Sequence, residues 1–183
     1  MTHHQIAVFA SESECVALRE FVNHYQARLN LHIGEEGPAI DQSYDKAPKF
    51  MLPVLNDMRK RTLKVVSKVT QTPDLKIQYS VLTMRPRGIG QGFHKDNMKH
   101  MGDVCMSRCV TSVLALNSLQ QGRSLLFDAH NDYQQFPHTT GRLLFFDSGL
   151  WHSVQTPETE RYAMLMWFTT DPDFEEKHRK HPK

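Results

Sequence analysis

Residues 142–169 read RLLFFDSGLWHSVQTPETERYAMLMWFT, and this stretch decides the fold class. It contains three runs of β-forming residues, which are Arg142–Asp147, His152–Gln155 and Tyr162–Thr169. Turn-forming pairs separate the runs at Ser148-Gly149 and at Thr156-Pro157. Short strands joined by tight turns are typical of antiparallel sheets.

The same pattern extends back along the chain to Leu75. Four further candidate strands are Leu75–Arg85, Cys109–Leu116, Ser124–Phe127 and Tyr133–Phe136. Turn signals lie between them at Arg87-Gly88, Asn117-Ser118, His130-Asn131-Asp132 and Thr140-Gly141. Because no helical pattern intervenes, the sequence predicts antiparallel sheets arranged as a sandwich, a barrel or a jelly roll.

The residues before Gln71 have helical periodicity instead. Ser11 and Glu14 have the spacing of a capping box, and apolar residues recur at helical spacing from Val16 to Leu29, with Gly34 as a stop. The stretch from Gly34 to Pro48 has two glycines and two prolines and is predicted to be a loop. A second amphipathic helix is predicted over Phe50–Val69, and its basic face is interpreted as a solvated surface.

Composition limits the classes of function. The chain has 183 residues, 22 Lys+Arg and 20 Asp+Glu, so its formal charge of +2 does not suggest a dedicated nucleic-acid or membrane-surface binder. No apolar run approaches the ~18 residues of a membrane span. The three cysteines are too few for a disulfide framework. The first residues lack the pattern of a secretory signal, so we expect a cytoplasmic protein.

We expect one domain over residues 1–183. Its parts are a helical segment over 1–71, a β core over 72–170 and a charged tail over 171–183.

Two histidines and an aspartate have the types and spacing of metal ligands. His94 and Asp96 are two residues apart, and in a strand-like stretch they face the same way. His152 lies 58 residues later, directly after a glycine turn. Two imidazoles and one carboxylate form the facial triad that binds Fe(II) and leaves coordination positions open. On their own, His94 and Asp96 would be read as a pair in a surface loop.

Arg161 strengthens the metal interpretation. It follows His152 by nine residues across the Thr156-Pro157 turn, at the start of the next strand. A hairpin would place its guanidinium one strand away from the metal. At that distance it would suit the far carboxylate of a dicarboxylic co-substrate.

Around these residues the sequence from Tyr79 to Phe168 resembles a known family. It is similar to the prolyl-hydroxylase branch of the 2-oxoglutarate/Fe(II) dioxygenases, and in particular to the catalytic domain of the hypoxia-inducible-factor prolyl hydroxylases. The matching segments, in family order, are His94-Lys-Asp-Asn97, Arg108-Cys-Val-Thr111, Leu116-Asn117, Arg142-Leu-Leu-Phe-Phe146, His152-Ser-Val-Gln155, Arg161-Tyr-Ala163 and Trp167.

The resemblance implies a mixed α and β, mainly β fold. Its core is a double-stranded β-helix, or jelly roll, buttressed by the N-terminal helices. It implies His94, Asp96 and His152 as iron ligands and Arg161 as the 2-oxoglutarate anchor. Thr111 and Trp167 fall on co-substrate pocket positions of the family.

This chain departs from the family at two pocket positions and in one loop. Met84 and Ala115 are placed where the family has tyrosines that touch 2-oxoglutarate, so the pocket is expected to be roomier and less polar. The loop Asn97–Ser107 is longer than in that subfamily, which leaves substrate choice open.

The implied activity is that of an oxidoreductase, a 2-oxoglutarate-dependent non-haem iron dioxygenase. It uses Fe(II), 2-oxoglutarate and O₂ to hydroxylate a C–H bond, with ascorbate as a further candidate cofactor. The expected substrate is a prolyl residue in a protein or peptide, and a free amino acid or another small metabolite is the alternative. Asp96 favours hydroxylation, because the related halogenases have Gly or Ala there.

Two other classes of protein agree less well with the sequence. A non-catalytic β-helix protein that binds metal or ligand would not need both the triad and Arg161. A nucleic-acid dealkylase usually has a second arginine six residues after the anchor, which here is Trp167. We therefore expect neither a nucleic-acid nor a membrane partner.

Several residues have a simpler interpretation than a functional one. His100, Cys105 and Cys109 have loose spacing for zinc, so no zinc site is predicted. Histidines in turns and in the charged tail are expected to be solvated; these are His130, His138, His178 and His181. Tyr79 is expected on the strand face opposite Met84, and for that reason outside the pocket.

Overall fold

The structure is a computed structural model that describes residues 3–26, 32–34, 37–43, 49–98, 103–127 and 133–174. The helices are α1 (Glu12–Gln26), α2 (Leu52–Thr70) and the short α3 (Asp103–Met106). The strands are β1 (His3–Ile6), β2 (His32–Gly34), β3 (Gly37–Ser43), β4 (Lys76–Arg85), β5 (Gln91–His94), β6 (Arg108–Ala115), β7 (Ser124–Phe127), β8 (Tyr133–Phe136), β9 (Leu143–Asp147), β10 (His152–Val154) and β11 (Arg161–Thr169). The predictions for His100, for the turn at residues 130–132 and for the tail from residue 175 lie outside these ranges.

The strands form two antiparallel sheets, as the sequence predicted. The larger sheet has seven strands in the order β1-β9-β6-β11-β4-β3-β2, and the smaller has four in the order β5-β10-β7-β8. All seven strands predicted from the sequence are present, with ends that differ by at most one residue.

Both N-terminal helices pack on one face of the seven-stranded sheet. The backbone N–H of Ser11 donates to Glu14 Oε2 at 2.7 Å, and that of Glu14 donates to Ser11 Oγ at 3.3 Å, so the predicted capping box starts α1. Buried residues of the helices and of the sheet form one apolar cluster: Leu18, Val22, Leu55, Met58, Val66, Leu82, Met84, Leu114, Phe145, Met164 and Phe168.

The other face of the seven-stranded sheet meets the four-stranded sheet. Leu126 and Phe136 of the smaller sheet pack there against Leu144 and Phe146 of β9. Alternation along β11 turns Met164 towards the helices. The same alternation directs Arg161, Leu165 and Trp167 between the sheets, where they line a cavity.

Four strands of the structure were not predicted from the sequence. β1 pairs with β9, with His3 opposite Phe146, and β5 pairs with β10. β2 and β3 replace much of the loop predicted over Gly34–Pro48, so that prediction was wrong. β3 pairs with β4, with Ile40 opposite Met84. Pairing with an edge of a sheet is a tertiary effect that outweighs a local content of Gly and Pro.

A glycine turn fastens the segment between β1 and α1 to the sheet. The N–H groups of Phe9 and Ala10 donate to the carbonyl of Gly141 at 2.8 and 3.2 Å. Gly141 has φ +76°, and a Cβ added to it would lie 2.3 Å from the carbonyl oxygen of Ala10. The turn therefore requires glycine both for its backbone conformation and for this close approach.

Within the part of the chain that the structure describes, no helix has the length and apolar character needed to cross a membrane.

Candidate active site

The three candidate metal ligands converge between the two sheets. His94, at the end of β5, is the register partner of His152 at the start of β10, and the two ring centroids are 4.1 Å apart. Asp96 Oδ1 lies 3.7 Å from His94 Nε2, and its Oδ2 lies 3.4 Å from His152 Nε2. The ligand atoms are all within 4.8 Å of one another, and in the described residues this is the one such group of three or more. Cys105 and Cys109 are not part of it.

Backbone carbonyls orient both imidazole rings. His94 Nδ1 is 2.9 Å from the carbonyl oxygen of Gly92, and His152 Nδ1 is 2.9 Å from that of Leu150. A carbonyl oxygen only accepts a hydrogen bond, so each Nδ1 carries the proton and donates it. Each Nε2 is then left with the lone pair, which is the tautomer that a metal needs.

Asp96 is held from three sides. Thr111 Oγ1 donates to Asp96 Oδ2 at 2.6 Å and lies 2.9 Å from Ser148 Oγ. The backbone N–H of Asp96 donates to the carbonyl of Ser148 at 3.0 Å. An Nη1–H of Arg108 donates to the carbonyl of Asp96 at 3.3 Å. These bonds orient a buried carboxylate towards the two imidazoles. Thr111, expected at the co-substrate pocket, thus lines the cavity and also positions a candidate ligand.

A cavity extends from these ligands to Arg161. Arg161 is 2% exposed, and its Nη2 lies 3.5 Å from Ser124 Oγ. Its Nε has no hydrogen-bond partner among the described residues. Burial, together with the nearby charge of Arg85, lowers the pKa of Arg161 to about 9. A buried cation with an unused donor is a site for an anion, and a carboxylate matches its planar fork.

Trp167 forms another wall of this cavity. The guanidinium carbon of Arg108 lies 4.7 Å from the centroid of the indole, and the ring of Tyr79 is stacked on it at 5.7 Å. The indole Nε1–H is buried with no partner in the described part of the chain. Trp167 therefore lines the cavity. Its indole N–H forms no hydrogen bond with a described protein atom.

The residue at the end of β4 that faces the cavity is Arg85, not Met84. Met84 packs in the cluster beneath the helices, whereas Arg85 lines the cavity. Ala115 is not among the lining residues. The expectation of a less polar pocket at Met84 was wrong, because the strand turns its guanidinium-bearing residue inwards. Tyr79 does lie on the face of β4 opposite to the face of Met84. That face, however, is the one directed between the two sheets, where Tyr79 stacks on Trp167.

Three other site features were not anticipated. His138 is buried rather than solvated, and its Nε2–H donates to the carbonyl of Tyr162 at 2.9 Å. Burial and then the charge of Arg161 hold the pKa of His138 well below its ordinary value, so this imidazole is neutral. Gln91 and Ser124 also line the cavity. Gln91 could have been found by its spacing of three residues from His94, and Ser124 had no signal in the sequence.

Comparisons with known proteins agree with this geometry. The family model described as the 2OG-Fe(II) oxygenase superfamily matches residues 79–169, from within β4 to the end of β11. A search of the curated proteins finds no match.

Solved structures share the fold over nearly the whole chain. A prolyl-4-hydroxylase from Pseudomonas putida is 22% identical, with a TM-score of 0.73 and 91% of each chain covered. A prolyl hydroxylase from Trichoplax adhaerens, in complex with a hypoxia inducible factor peptide, is 19% identical with a TM-score of 0.65 and covers 92% of this chain and 83% of its own. SnoN, an α-ketoglutarate-dependent epimerase of nogalamycin biosynthesis, is 9% identical with a TM-score of 0.72 and covers 91% and 78%.

The two facing sheets are thus a double-stranded β-helix, and the class of protein is the 2-oxoglutarate-dependent non-haem iron oxygenases. The chain belongs to the 2OG-Fe(II) oxygenase superfamily.

Proposed function

We propose that this protein hydroxylates a C–H bond of a prolyl residue in a protein or peptide, using Fe(II), 2-oxoglutarate and O₂. The observation that carries the proposal is the opening of His94, Asp96, His152 and Arg161 onto one cavity. The first three would hold the metal, and the fourth would hold the co-substrate.

The donor set fits Fe(II). Two neutral imidazole nitrogens and one carboxylate oxygen occupy one side of a metal and leave the other side open. When bound there, the iron supplies the oxidative chemistry that couples decarboxylation of 2-oxoglutarate to hydroxylation of the substrate. The chain itself supplies the ligand orientation, through the carbonyls of Gly92 and Leu150 and the hydroxyl of Thr111.

Arg161 fits the far carboxylate of 2-oxoglutarate. Its guanidinium is buried and charged, and its Nε–H has no partner among the described residues. A carboxylate bound there would accept a charge-assisted hydrogen bond and would offset the cost of burying the cation. Ser124 Oγ, 3.5 Å from Arg161 Nη2, is close enough to help orient that carboxylate.

The apolar walls of the cavity would keep water from the reacting groups. Val113, Leu126 and Phe146 line it, and Leu126 and Phe146 belong to the packed core between the sheets. Trp167 adds a flat wall and a free Nε1–H that we assign to the co-substrate. A dry cavity strengthens the ionic contact at Arg161 and protects reactive groups from side reactions.

The prolyl substrate is supported by two prolyl hydroxylases with the same fold. A small-molecule substrate is the second candidate. SnoN has a TM-score similar to that of the Pseudomonas enzyme, and it is an epimerase from nogalamycin biosynthesis.

Succinate formation in the presence of Fe(II) and 2-oxoglutarate tests the proposal. Proline-containing peptides and free amino acids are compared as two panels, with mass spectrometry of the products. For at least one peptide, we expect a product that has gained one oxygen atom, with one succinate formed for each product molecule. The matched control His152→Ala should form no such product. Hydroxylation of free amino acids alone would replace the prolyl-residue proposal with the second candidate. No succinate with any member of either panel would contradict the hydroxylase assignment.

A further inference from the structure

A second arginine faces the cavity opposite Arg161. In the pairing of β4 with β11, Arg85 is the register partner of Arg161, and both side chains line the cavity. Arg85 is 8% exposed, and its charge contributes to the lowered pKa of Arg161. The two guanidinium groups are therefore near enough to interact, and the role proposed for Arg161 accounts for only one of them.

The two arginines point to different sides of the smaller sheet. Arg161 Nη2 contacts Ser124 Oγ, on β7. Arg85 Nη1 lies 3.5 Å from the carbonyl oxygen of Gly90, directly before β5. Because β5 and β7 flank β10 on opposite sides, the two neighbouring guanidinium groups contact opposite sides of β10 across the cavity.

The Arg85 side is the more open of the two. Ser124, at Arg161, is buried, whereas Gln91 and His94 on the Arg85 side are partly exposed. A co-substrate held by Arg161 would fill the closed side, so a substrate would approach along the wall formed by Arg85, Gln91 and His94.

That wall leads directly to the candidate metal. Gln91 Nε2 lies 3.1 Å from His94 Nε2, so the amide of Gln91 reaches the ligand atom itself. Gln91 and Arg85 both line the cavity, and they offer hydrogen-bond donors on the approach to the reacting centre. Of the described residues that line the cavity, Asp96 is the one acid, so its walls favour an anionic ligand.

We propose that Arg85 binds a carboxylate of the substrate, attached to the ring that is hydroxylated. This inference rests on the proposed function and deepens it by naming the substrate class. The substrate is an amino acid or peptide with a free carboxylate beside the oxidised ring, either free proline or a C-terminal prolyl residue. Arg85 would receive that carboxylate in its planar fork, and Gln91 would hold the adjoining polar group.

Matched pairs of ligands test this on the native enzyme. The thermal midpoint is measured with Mn(II) and N-oxalylglycine, an analogue of 2-oxoglutarate, and then with either L-proline or L-prolinamide added. A second pair is a peptide that ends in proline, with a free or an amidated C-terminus. We expect at least one carboxylate form to bind about tenfold or more tightly than its amide. The pair that shows the difference distinguishes a free amino acid from a peptide terminus.

Variants of the enzyme test whether the preference for the carboxylate form depends on Arg85. In Arg85→Gln the carboxylate and the amide forms should bind equally, and Arg85→Lys should restore only part of the difference. Arg87→Gln is the matched control, because Arg87 is exposed two residues further along the same segment. It should keep the full preference of the native enzyme.

Three results would overturn the proposal. The first is a carboxylate form that binds no better than its amide in both pairs. The second is a preference that survives in Arg85→Gln. The third is a loss in Arg85→Gln that falls on N-oxalylglycine rather than on the substrate, which would make Arg85 a co-substrate residue. If N-oxalylglycine does not raise the thermal midpoint of the native enzyme at all, the proposed function fails instead.

Discussion

Replacing Arg161 with methionine should make the ligand-free protein more stable and abolish its response to 2-oxoglutarate. Arg161 is almost completely buried, with Arg85 beside it as a like charge. Methionine has a similar length, fills the same space and carries no charge. The variant therefore separates two effects of the buried cation. One is its cost to the stability of the ligand-free protein, and the other is its contribution to the binding of 2-oxoglutarate.

The magnitude follows from the lowered pKa of the group. A pKa lowered to about 9 from the ordinary value of an arginine corresponds to about 5 kcal/mol, at 1.36 kcal/mol for each pH unit. This is an upper figure, because exchange of buried ions for apolar groups typically stabilises a protein by ~1–4 kcal/mol. In a chain of this size each kcal/mol raises the thermal midpoint by ~2–4 °C. We expect Arg161→Met to melt about 2–16 °C above the native protein.

The pH dependence has a definite sign. The pKa of Arg161 is lower in the folded protein than in the unfolded chain, so the unfolded chain holds more protons at pH values above about 9. The native protein therefore gains stability as the pH rises through about 9, and the advantage of the variant is complete below that pH and narrows above it.

Thermal melts with and without Mn(II) and 2-oxoglutarate form the assay, at pH 7 and at pH 9.5. The matched control is Arg87→Met, which removes an exposed charge and should keep both the native midpoint and the native response. A ligand-free Arg161→Met that melts below the native protein would refute the reasoning about the buried charge. A 2-oxoglutarate response of native size in this variant would refute the anchor.

Four further outcomes are expected. Substitution of any one ligand by alanine should abolish both succinate formation and the Mn(II)-dependent rise of the thermal midpoint; these are His94, Asp96 and His152. Thr111→Val should weaken Mn(II) binding by ~10–100-fold in a metal titration, because the 2.6 Å bond to Asp96 is lost, and Thr111→Ser should retain it. Gly141→Ala should lower the thermal midpoint by several degrees, since its Cβ would meet the carbonyl of Ala10, whereas Gly92→Ala, with open space around it, should change it little. The dissociation constant of 2-oxoglutarate should increase as the pH rises above about 9, because Arg161 loses its proton there.

The β core and the set of candidate ligands could be predicted from the sequence. Strands such as Leu143–Asp147 and Arg161–Thr169 are identified by alternation and by the turns that end them, and both are local properties. His94, Asp96, His152 and Arg161 stand at strand ends with types and spacing that suit one chemistry. The capping box at Ser11 was likewise readable, because its partners are three residues apart.

Which face of a strand looks inwards was decided only by the tertiary structure. Alternation shows that Met84 and Arg85 lie on opposite faces of β4, but not which of the two faces meets the other sheet. Packing of the helices on the Met84 face turned Arg85 and Tyr79 inwards. The burial of His138 beneath β11 has the same origin, since the carbonyl of Tyr162 that it contacts is 24 residues away.

Long-range pairing decided the remaining strands. β3 contains Gly37 and Pro38, which locally favour a turn, and it becomes a strand because the edge of β4 offers backbone partners. β1 joins β9 across almost the whole chain. Local sequence determined where the chain can be extended and which residues have reactive side chains. The pairing of distant strands determined which of those side chains share a cavity, because hydrogen bonds and burial between remote segments leave no periodic signal in either segment.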